Sequence, residues 1–445
     1  MSANIFINYE NLLIALLALT TVCVVLNFML EPFRIVTLFN LLCVVFYFNP
    51  YLITTFISAD LFNYAFSIYR IDATNESGLV DFAGIIIGMY VVSVLYSLSR
   101  SFRLVSNALI LSADKKNIST THPTDTFHAF KTASRNKNFE YTYYLILSIS
   151  LSWVLFESIR LGDLTALIAL ATALGYDAFV RKAFIFMIPI IMLVYMIKKR
   201  IPPAGFYLLI TLSLLLAFGS GQRKELLTIV MLLMPYYLTI TRATKKTIWV
   251  MFILSFCVAI AFWYVRDLRI LALRGDLAAF ALRDSRTIFE VIFGSAASGP
   301  ASLLLIMENL PSLGVTRRDI LTNPFLISIP SFLYPGKPPN IDTLLQFNIT
   351  PWTSPSVFII NEFVFLFRQF AAPAFMVFTF FLSRFEKIKR SVFGLFVYFS
   401  IYSLTFTFFK NGLQTGIPNL VLILCMGWFV HILLSVVWVK KRNVN

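Results

Sequence analysis

Charged residues are scarce in this chain: Asp, Glu, Lys and Arg together make up 13% of its 445 residues, whereas hydrophobic residues make up 58%. Soluble domains usually carry about 25% charged residues, so a soluble core could not absorb this much apolar surface. The composition therefore excludes a soluble globular domain and predicts a polytopic membrane protein. The formal net charge of +15 does not indicate nucleic-acid binding, because much of the excess lies in short joints between apolar runs.

Residues that commonly bind metals are also few, with three histidines and four cysteines in the whole chain. The cysteines all lie inside apolar runs, which is typical of small core residues, and no spacing predicts a zinc site. The sequence has no nucleotide-binding glycine fingerprint, no P-loop and no Asp-x-Asp pair. An enzyme built on this chain would need no metal or cofactor, and its substrate would have to be already activated.

Apolar runs near the roughly 20 residues that cross a bilayer organise the chain. They predict an all-α fold, a polytopic integral membrane protein with about 11 transmembrane helices. The predicted spans are 11–30, 35–57, 80–99, 141–158, 180–197, 204–220, 225–241, 247–265, 370–384, 391–409 and 417–438.

The spans divide the chain into three regions. Residues 1–265 carry the first eight spans and a basic loop near 99–140, residues 266–369 form one large loop, and residues 370–445 carry the last three spans and a basic tail. Basic residues gather in alternate joints, and such joints are usually cytoplasmic. This rule predicts an outer N-terminus, a cytoplasmic C-terminus and a large loop on the outer face.

The large loop is basic, although the charge rule places it outside. It holds Arg266, Arg269, Arg274, Arg283, Arg286, Arg317, Arg318, Lys337 and Arg368. Long loops translocate largely regardless of charge, so topology does not explain these residues. Local pairing with acids and binding of an anion both remain open. The spacing of arginines three apart predicts short amphipathic helices at 266–276 and 281–290, lying at the outer interface.

Two further segments on the same face could contact a ligand. The corner Gly219–Glu225 reads GSGQRKE and begins a span, so free backbone N–H groups and Arg223 could hold a phosphate there. Alternatively, Arg223 snorkels to lipid headgroups. The strip 329–339 reads IPSFLYPGKPP and predicts a rigid, aromatic, non-helical segment that suits either sugar rings or the membrane interface.

Six carboxylates on this face are candidates for a general base that takes a proton from a hydroxyl nucleophile. They are Asp267, Asp276, Asp284, Asp319, Asp342 and Glu362. Glu362 and Asp276 are the predicted catalytic residues. Glu362 stands alone among Phe and Val residues in an amphipathic run, and the alternative for it is pairing with Arg368 or another arginine.

These features together resemble the Wzy-type O-antigen or repeat-unit polysaccharide polymerases, which are relatives of the O-antigen ligases. The resemblance rests on about eleven spans, the GSGQR corner before a span, the outer loop with spaced arginines, and the IPSFLYPGKPP strip. Arg223 looks like the family's arginine at the start of a span. Arg283 with Gly294 resembles an Arg-x10-Gly pattern, whereas the companion His-x10-Gly pattern is absent, so no catalytic histidine is carried over.

The resemblance implies a fold like the type C integral-membrane glycosyltransferases, in a bacterial inner membrane with a periplasmic N-terminus. It implies metal-independent, inverting polymerisation of repeat units carried on undecaprenyl pyrophosphate, with membrane lipids and a chain-length regulator protein as further partners. The expected pyrophosphate-binding residues are Arg223, Arg266, Arg274, Arg283 and Arg286, because arginine forks fit a pyrophosphate. A flippase for a lipid-linked oligosaccharide and an O-antigen ligase are the alternatives.

Overall fold

The computed structural model describes residues 2–57, 76–113, 148, 189–194, 197, 228–233, 298–329, 333–348, 357–390 and 392–439. Within these ranges the chain forms helices joined by turns, with no strand. The predicted all-helical fold is therefore confirmed for the part of the chain that the structure describes.

Residues 2–57 and 76–113 form four α-helices. They are α1 (Ser2–Leu30), α2 (Ile35–Cys43), α3 (Asn49–Phe56) and α4 (Glu76–Ala113). The π-helical turn Val44–Phe48 joins α2 to α3 without a break, so the two form one apolar span. The aromatic side chains Phe39, Tyr47 and Phe48 of this span are buried in the core of the bundle.

The described residues between 298 and 439 form six α-helices. They are α5 (Ser298–Ser312), α6 (Arg317–Ser328), α7 (Ile341–Asn348), α8 (Ile359–Phe367), α9 (Ala371–Arg384) and α10 (Val392–Val439). Short 3₁₀ turns, Arg368–Phe370 and Phe385–Arg390, flank α9. Residues 333–340 between α6 and α7 form no helix, as predicted for that part of the strip.

Within the described residues, five helical stretches are long and apolar enough to cross a membrane, which is compatible with a multi-pass membrane protein. They are Tyr9–Leu30, Ile35–Phe56, Gly78–Arg103, Ile359–Lys389 and Phe393–Val430. The first three match predicted spans closely. The predicted spans between 141 and 265 lie wholly or largely outside the described residues, so the total of eleven stays a prediction.

The last stretch, α10, is a helical hairpin. Its 48 residues would extend about 72 Å if straight, more than twice the roughly 30 Å of a bilayer core. Gly412 interrupts it with φ 62° and ψ −164°. Gly416 lies against the ring of Phe408, and Gly427 lies against the ring of Phe396. These two contacts are centred on Gly412, so the arms 392–411 and 413–439 run antiparallel and close together.

A second reversal separates α8 from α9. The ring centroids of Phe363 and Phe375 lie 5.8 Å apart, and those of Phe363 and Phe378 lie 5.4 Å apart. In a straight helix the first pair would lie about 18 Å apart along the axis. The chain therefore turns back at Arg368–Phe370, where Arg368 has φ 48°. The nine-residue helix α8 is a separate buried element, and the long helix of this stretch begins at Ala371.

Three joints meet at one end of the bundle, which we call the charged end. The Glu31 carboxylate accepts hydrogen bonds from Arg34 at 2.9 Å and from Arg100 Nε at 2.8 Å. Lys389 Nζ lies 2.6 Å from Glu386 Oε2, and Arg34 Nε lies 3.7 Å from Glu386 Oε1. The network ties the α1–α2 joint, the end of the α4 span and the turn after α9 into one place. These joints follow the first, third and ninth predicted spans, so the predicted alternation of spans places all three on the cytoplasmic side.

Glu31 should make the charged end sensitive to acid. Burial raises the pKa of Glu31, but hydrogen bonds and charge from Arg100 and Arg34 outweigh that effect and hold the pKa below its ordinary value of 4.5. A carboxylate with a lowered pKa stabilises the fold above its unfolded-state pKa, and this contribution is lost as the pH falls through the folded-state pKa. We expect Glu31→Gln to lower the free energy of unfolding by about 1–3 kcal/mol at neutral pH.

Thermal unfolding in detergent at neutral pH and at progressively lower pH measures this effect. The difference in unfolding free energy between wild type and Glu31→Gln should become smaller below pH 4.5, because the wild-type carboxylate is then increasingly protonated. The control is Glu308→Gln, which changes an exposed glutamate on α5. A pH-independent gap, or an equal loss in the control, would contradict the role given to Glu31.

The hairpin turn gives a second stability prediction. A Cβ at Gly412 would lie 2.4 Å from Glu362 Oε1 in a backbone conformation that only glycine adopts readily. Gly412→Ala should therefore lower the free energy of unfolding by about 2–4 kcal/mol. Gly84→Ala is the control, because a Cβ there meets open space inside α4. Equal denaturation midpoints for the two variants would show that the turn does not require glycine.

Candidate functional site

Of the seven predicted site residues, only Glu362 lies within the described residues. Arg223, Arg266, Arg274, Asp276, Arg283 and Arg286 lie outside them, as do both predicted amphipathic helices. Whether these arginines converge on one cavity thus stays a prediction. The description that follows concerns Glu362 and the elements that surround it.

Glu362 lies in the first turn of α8 and faces the hairpin turn of α10. Its side chain is buried, with the residue 1% exposed. The backbone N–H of Leu413 donates to Glu362 Oε2 at 2.7 Å. This N–H directly follows Gly412, where the helical hydrogen-bond ladder is interrupted, so it needs an acceptor from outside its own helix. The carboxylate therefore joins α8 to the tip of the α10 hairpin.

The neighbouring residue Asn361 fixes the other side of α8. Its Oδ1 accepts a short hydrogen bond from the Tyr47 hydroxyl, and its Nδ2 donates to Ser302 Oγ at 2.7 Å. Ser302 Oγ in turn donates to the carbonyl of Gly299 at 3.0 Å. All four residues are buried, so the satisfied network sets the position of α8 between α5 and the π-helical turn.

A second, smaller hydrophobic cluster covers this end of the bundle. We call residues 298–348, which include α5, α6 and α7, the cap. Its cluster consists of Leu305, Ile306, Leu310, Ile320, Ile341, Leu345, Val357, Phe365 and Leu366. The other face of α8, including Phe363 and Val364, belongs to the main core. Helix α8 thus contacts both clusters, and helix α5 of the cap also reaches the main core through Ala301, Leu303 and Leu304.

Polar contacts hold the cap to the tip of the hairpin. Gln414 Nε2 donates to the carbonyl of Ile320 at 3.0 Å, and Asn340 Nδ2 donates to Thr415 Oγ1 at 3.3 Å. Tyr398 lies on the first arm of the hairpin, fourteen residues before Gly412, and its hydroxyl contacts Glu386 at the charged end. Fourteen helical residues span about 21 Å. The cap and the charged end therefore lie at opposite ends of the bundle.

The cap end exposes arginine side chains. Arg317 and Arg318 are exposed at the start of α6, and Arg368 is exposed at the turn before α9. Asp319 is engaged locally, because its carboxylate and the Thr316 side chain form a reciprocal capping box. Hydrogen bonds from the Thr316 side chain and backbone hold the pKa of Asp319 below its ordinary value. The Asp319 carboxylate therefore caps the N-terminal end of α6.

This arrangement favours a positioning role for Glu362. A general base must come within hydrogen-bond reach of the proton that it takes, and the oxygens of Glu362 face the α10 turn inside the protein. The predicted alternative was a pair with Arg368 or another arginine, and Arg368 itself is exposed at the α8–α9 turn whereas the Glu362 carboxylate is buried. Asp276 lies outside the described residues, so the assignment of a general base to Glu362 or Asp276 stays a prediction.

Sequence reasoning missed the partners that define this site. Asn361 and Tyr47 are 314 residues apart in the chain, and no local pattern connects them. The turn at Gly412 could have been predicted from the sequence, because Gly412 falls in the predicted joint 410–416 and a tight reversal favours glycine. The start of helix α6 could also have been predicted, because Thr316 followed three residues later by Asp319 is a pattern that begins helices.

Comparisons with known protein families, with curated proteins and with solved structures find no match for this chain.

Proposed function

We propose that this protein is a metal-independent, inverting glycosyltransferase. It polymerises oligosaccharide repeat units carried on undecaprenyl pyrophosphate into O-antigen or a related surface polysaccharide. The reaction takes place at the periplasmic face of a bacterial inner membrane. A hydroxyl of one lipid-linked unit attacks the anomeric carbon of the growing glycan, and the bond to the pyrophosphate breaks. Direct displacement inverts the configuration at that carbon.

The observation that carries the proposal is that arginines lie at both ends of the bundle, although the charge rule accounts for them only at the cytoplasmic end. At the charged end, Arg34, Arg100 and Lys389 are paired with Glu31 and Glu386, and Arg103 and Arg384 are exposed, as is usual for cytoplasmic joints. At the opposite end, Arg317, Arg318 and Arg368 are exposed at the surface of the cap and of the α8–α9 turn. The remaining arginines of the large loop precede the cap in the chain. A loop rich in arginine at this end suits a substrate that carries a diphosphate.

Each residue has a role in the proposed reaction. Arg223, Arg266, Arg274, Arg283 and Arg286 stabilise the charge that develops on the pyrophosphate leaving group. Asp276 takes the proton from the attacking hydroxyl. Glu362 holds the hairpin turn beneath the cap. The substrate enters already activated by its pyrophosphate linkage, so the reaction itself requires no metal.

The position of Glu362 also bears on the flippase alternative. Transporters usually place their ionisable residues near the middle of the membrane, often at broken helices. Glu362 is buried beside a broken helix, and its neighbour Asn361 contacts Tyr47 in the middle of the Ile35–Phe56 span. This position of Glu362 fits either function, and chain growth in detergent, which a transporter cannot produce, separates the two.

Gene deletion followed by complementation tests the proposal in cells. Cells without the protein should make surface glycans of a single repeat unit, and the wild-type gene should restore a ladder of longer chains. A flippase would behave differently, since its loss would leave lipid-linked units on the cytoplasmic side. A ligase would also differ, because its loss would leave long chains attached to undecaprenyl pyrophosphate. Either of these two results would reject the proposed activity.

A further inference from the structure

Helix α6 exposes a row of large apolar side chains. Leu321 is 48% exposed and Phe325 is 60% exposed, and Ile329 directly after the helix is also exposed. These residues are spaced four apart, so they form one ridge along the helix. The opposite side of α6, with Ile320 and Pro324, is buried against the rest of the protein. The ridge is therefore separate from the packing that holds α6 in place.

The ridge begins beside two positive charges. Arg317 and Arg318 are exposed at the start of α6. On an ideal helix Arg318 projects about 20° from the direction of Phe325, seven residues later. Two arginines and one carboxylate, that of Asp319 in the capping box, lie at this end of α6, so the net charge next to the ridge is positive. One edge of α6 thus presents cations followed by apolar side chains, the pattern of helices that lie in a membrane interface.

The position of α6 brings this edge to the end of the bundle opposite the charged end. The Ile320 carbonyl of α6 accepts a hydrogen bond from Gln414, two residues past the hairpin turn. The cap that contains α6 also reaches the far end of the α4 span, where Leu304 lies against Gly78, 22 residues from Arg100. The charge rule places the outer surface of the membrane at this end.

We propose that α6 is an interfacial helix whose ridge of Leu321, Phe325 and Ile329 inserts into the lipid surface. Arg317 and Arg318 bind the phosphates of anionic phospholipids next to the ridge. The partner is the bilayer itself. This contact fixes the cap to the membrane surface, and it does not depend on the proposed catalytic activity.

Spin labels on α6 test the contact in reconstituted protein. Phe325→Cys and the control Asn323→Cys are made after the native cysteines at 23, 43, 257 and 425 are replaced by alanine. Asn323 is half-buried on the other flank of α6, about 160° around the axis from Phe325. The vesicles contain phosphatidylethanolamine and phosphatidylglycerol. The label at 325 should be several-fold less accessible to a water-soluble nickel chelate than the label at 323, and more accessible to oxygen.

Combining Arg317→Gln and Arg318→Gln should raise the accessibility of the 325 label to the nickel chelate, because the phosphate contacts are lost. Equal accessibility at 325 and 323 would overturn the proposal. Dipolar broadening between 325 labels would also overturn it, because a second copy of the chain would then cover the ridge. The unmodified protein gives an independent measurement with a photoreactive phosphatidylglycerol. Adducts should form on Leu321, Phe325 or Ile329, and their absence from all three would contradict lipid contact.

Discussion

Asp276→Asn should reduce chain growth by about 10²–10⁴-fold, because a general base contributes a factor of that size and asparagine cannot accept the proton. Glu362→Gln should retain most of the activity. A glutamine oxygen can still accept the hydrogen bond that the Leu413 N–H donates to Glu362. The measurement is the rate of chain growth by each purified variant in detergent with lipid-linked repeat units, together with its thermal unfolding.

Glu362→Ala separates the positioning role from catalysis. Removing the carboxylate leaves the N–H of Leu413 without this acceptor and opens a cavity beside Gly412. The expected result is a loss of stability of about 2–4 kcal/mol, with activity falling in parallel. If Glu362→Gln were as inactive as Asp276→Asn while unfolding like wild type, Glu362 would be the base and the positioning role would be wrong.

Arg223→Ala and Arg283→Ala should each lower chain growth by about 10²–10³-fold, since each removes a cation proposed to stabilise the departing pyrophosphate. Cells that carry either variant should make glycans of a single repeat unit, although the protein reaches the membrane in normal amounts. Gel separation of the surface glycan measures chain length, and an immunoblot of membranes measures the protein.

Arg103→Ala is the matched control, because Arg103 is an exposed arginine at the end of the α4 span, near the charged end. This variant loses one positive charge at the opposite end of the bundle and should still produce a full ladder. Full-length polymer from both Arg223→Ala and Arg283→Ala would reject the assigned pyrophosphate site. Equal loss in all three variants would indicate a general effect of charge on membrane insertion.

Hydrophobic runs predicted the helical class and several boundaries well. The predicted span 35–57 corresponds to the apolar stretch Ile35–Phe56, and the predicted joint 410–416 contains the turn at Gly412. These features are local, since they depend on how many consecutive residues are apolar and on where glycine interrupts them. The reversal at Arg368 is also local, but a non-glycine residue with positive φ gives no signal in the sequence.

The contacts of Glu362 could not be predicted, because they depend on distant parts of the chain. Leu413 lies 51 residues from Glu362, and the two meet only after α8 and the α10 hairpin have folded. An acid in an apolar run indicated that it needed a partner, and the nearby Arg368 was the obvious candidate. Within the described residues the structure supplies a backbone N–H, that of Leu413, which is available wherever a helix is interrupted. Residue spacing alone contains no information about that choice.

Chain growth by the purified wild-type protein tests the central claim most directly. The protein is incubated in detergent, without a closed compartment, with undecaprenyl-pyrophosphate-linked repeat units extracted from the deletion strain. Glycosyl transfer predicts a ladder of longer lipid-linked glycans and release of one undecaprenyl pyrophosphate for each unit added. A substrate that stays at one repeat unit in detergent, but crosses the bilayer when the same protein is reconstituted in sealed vesicles, would contradict the account.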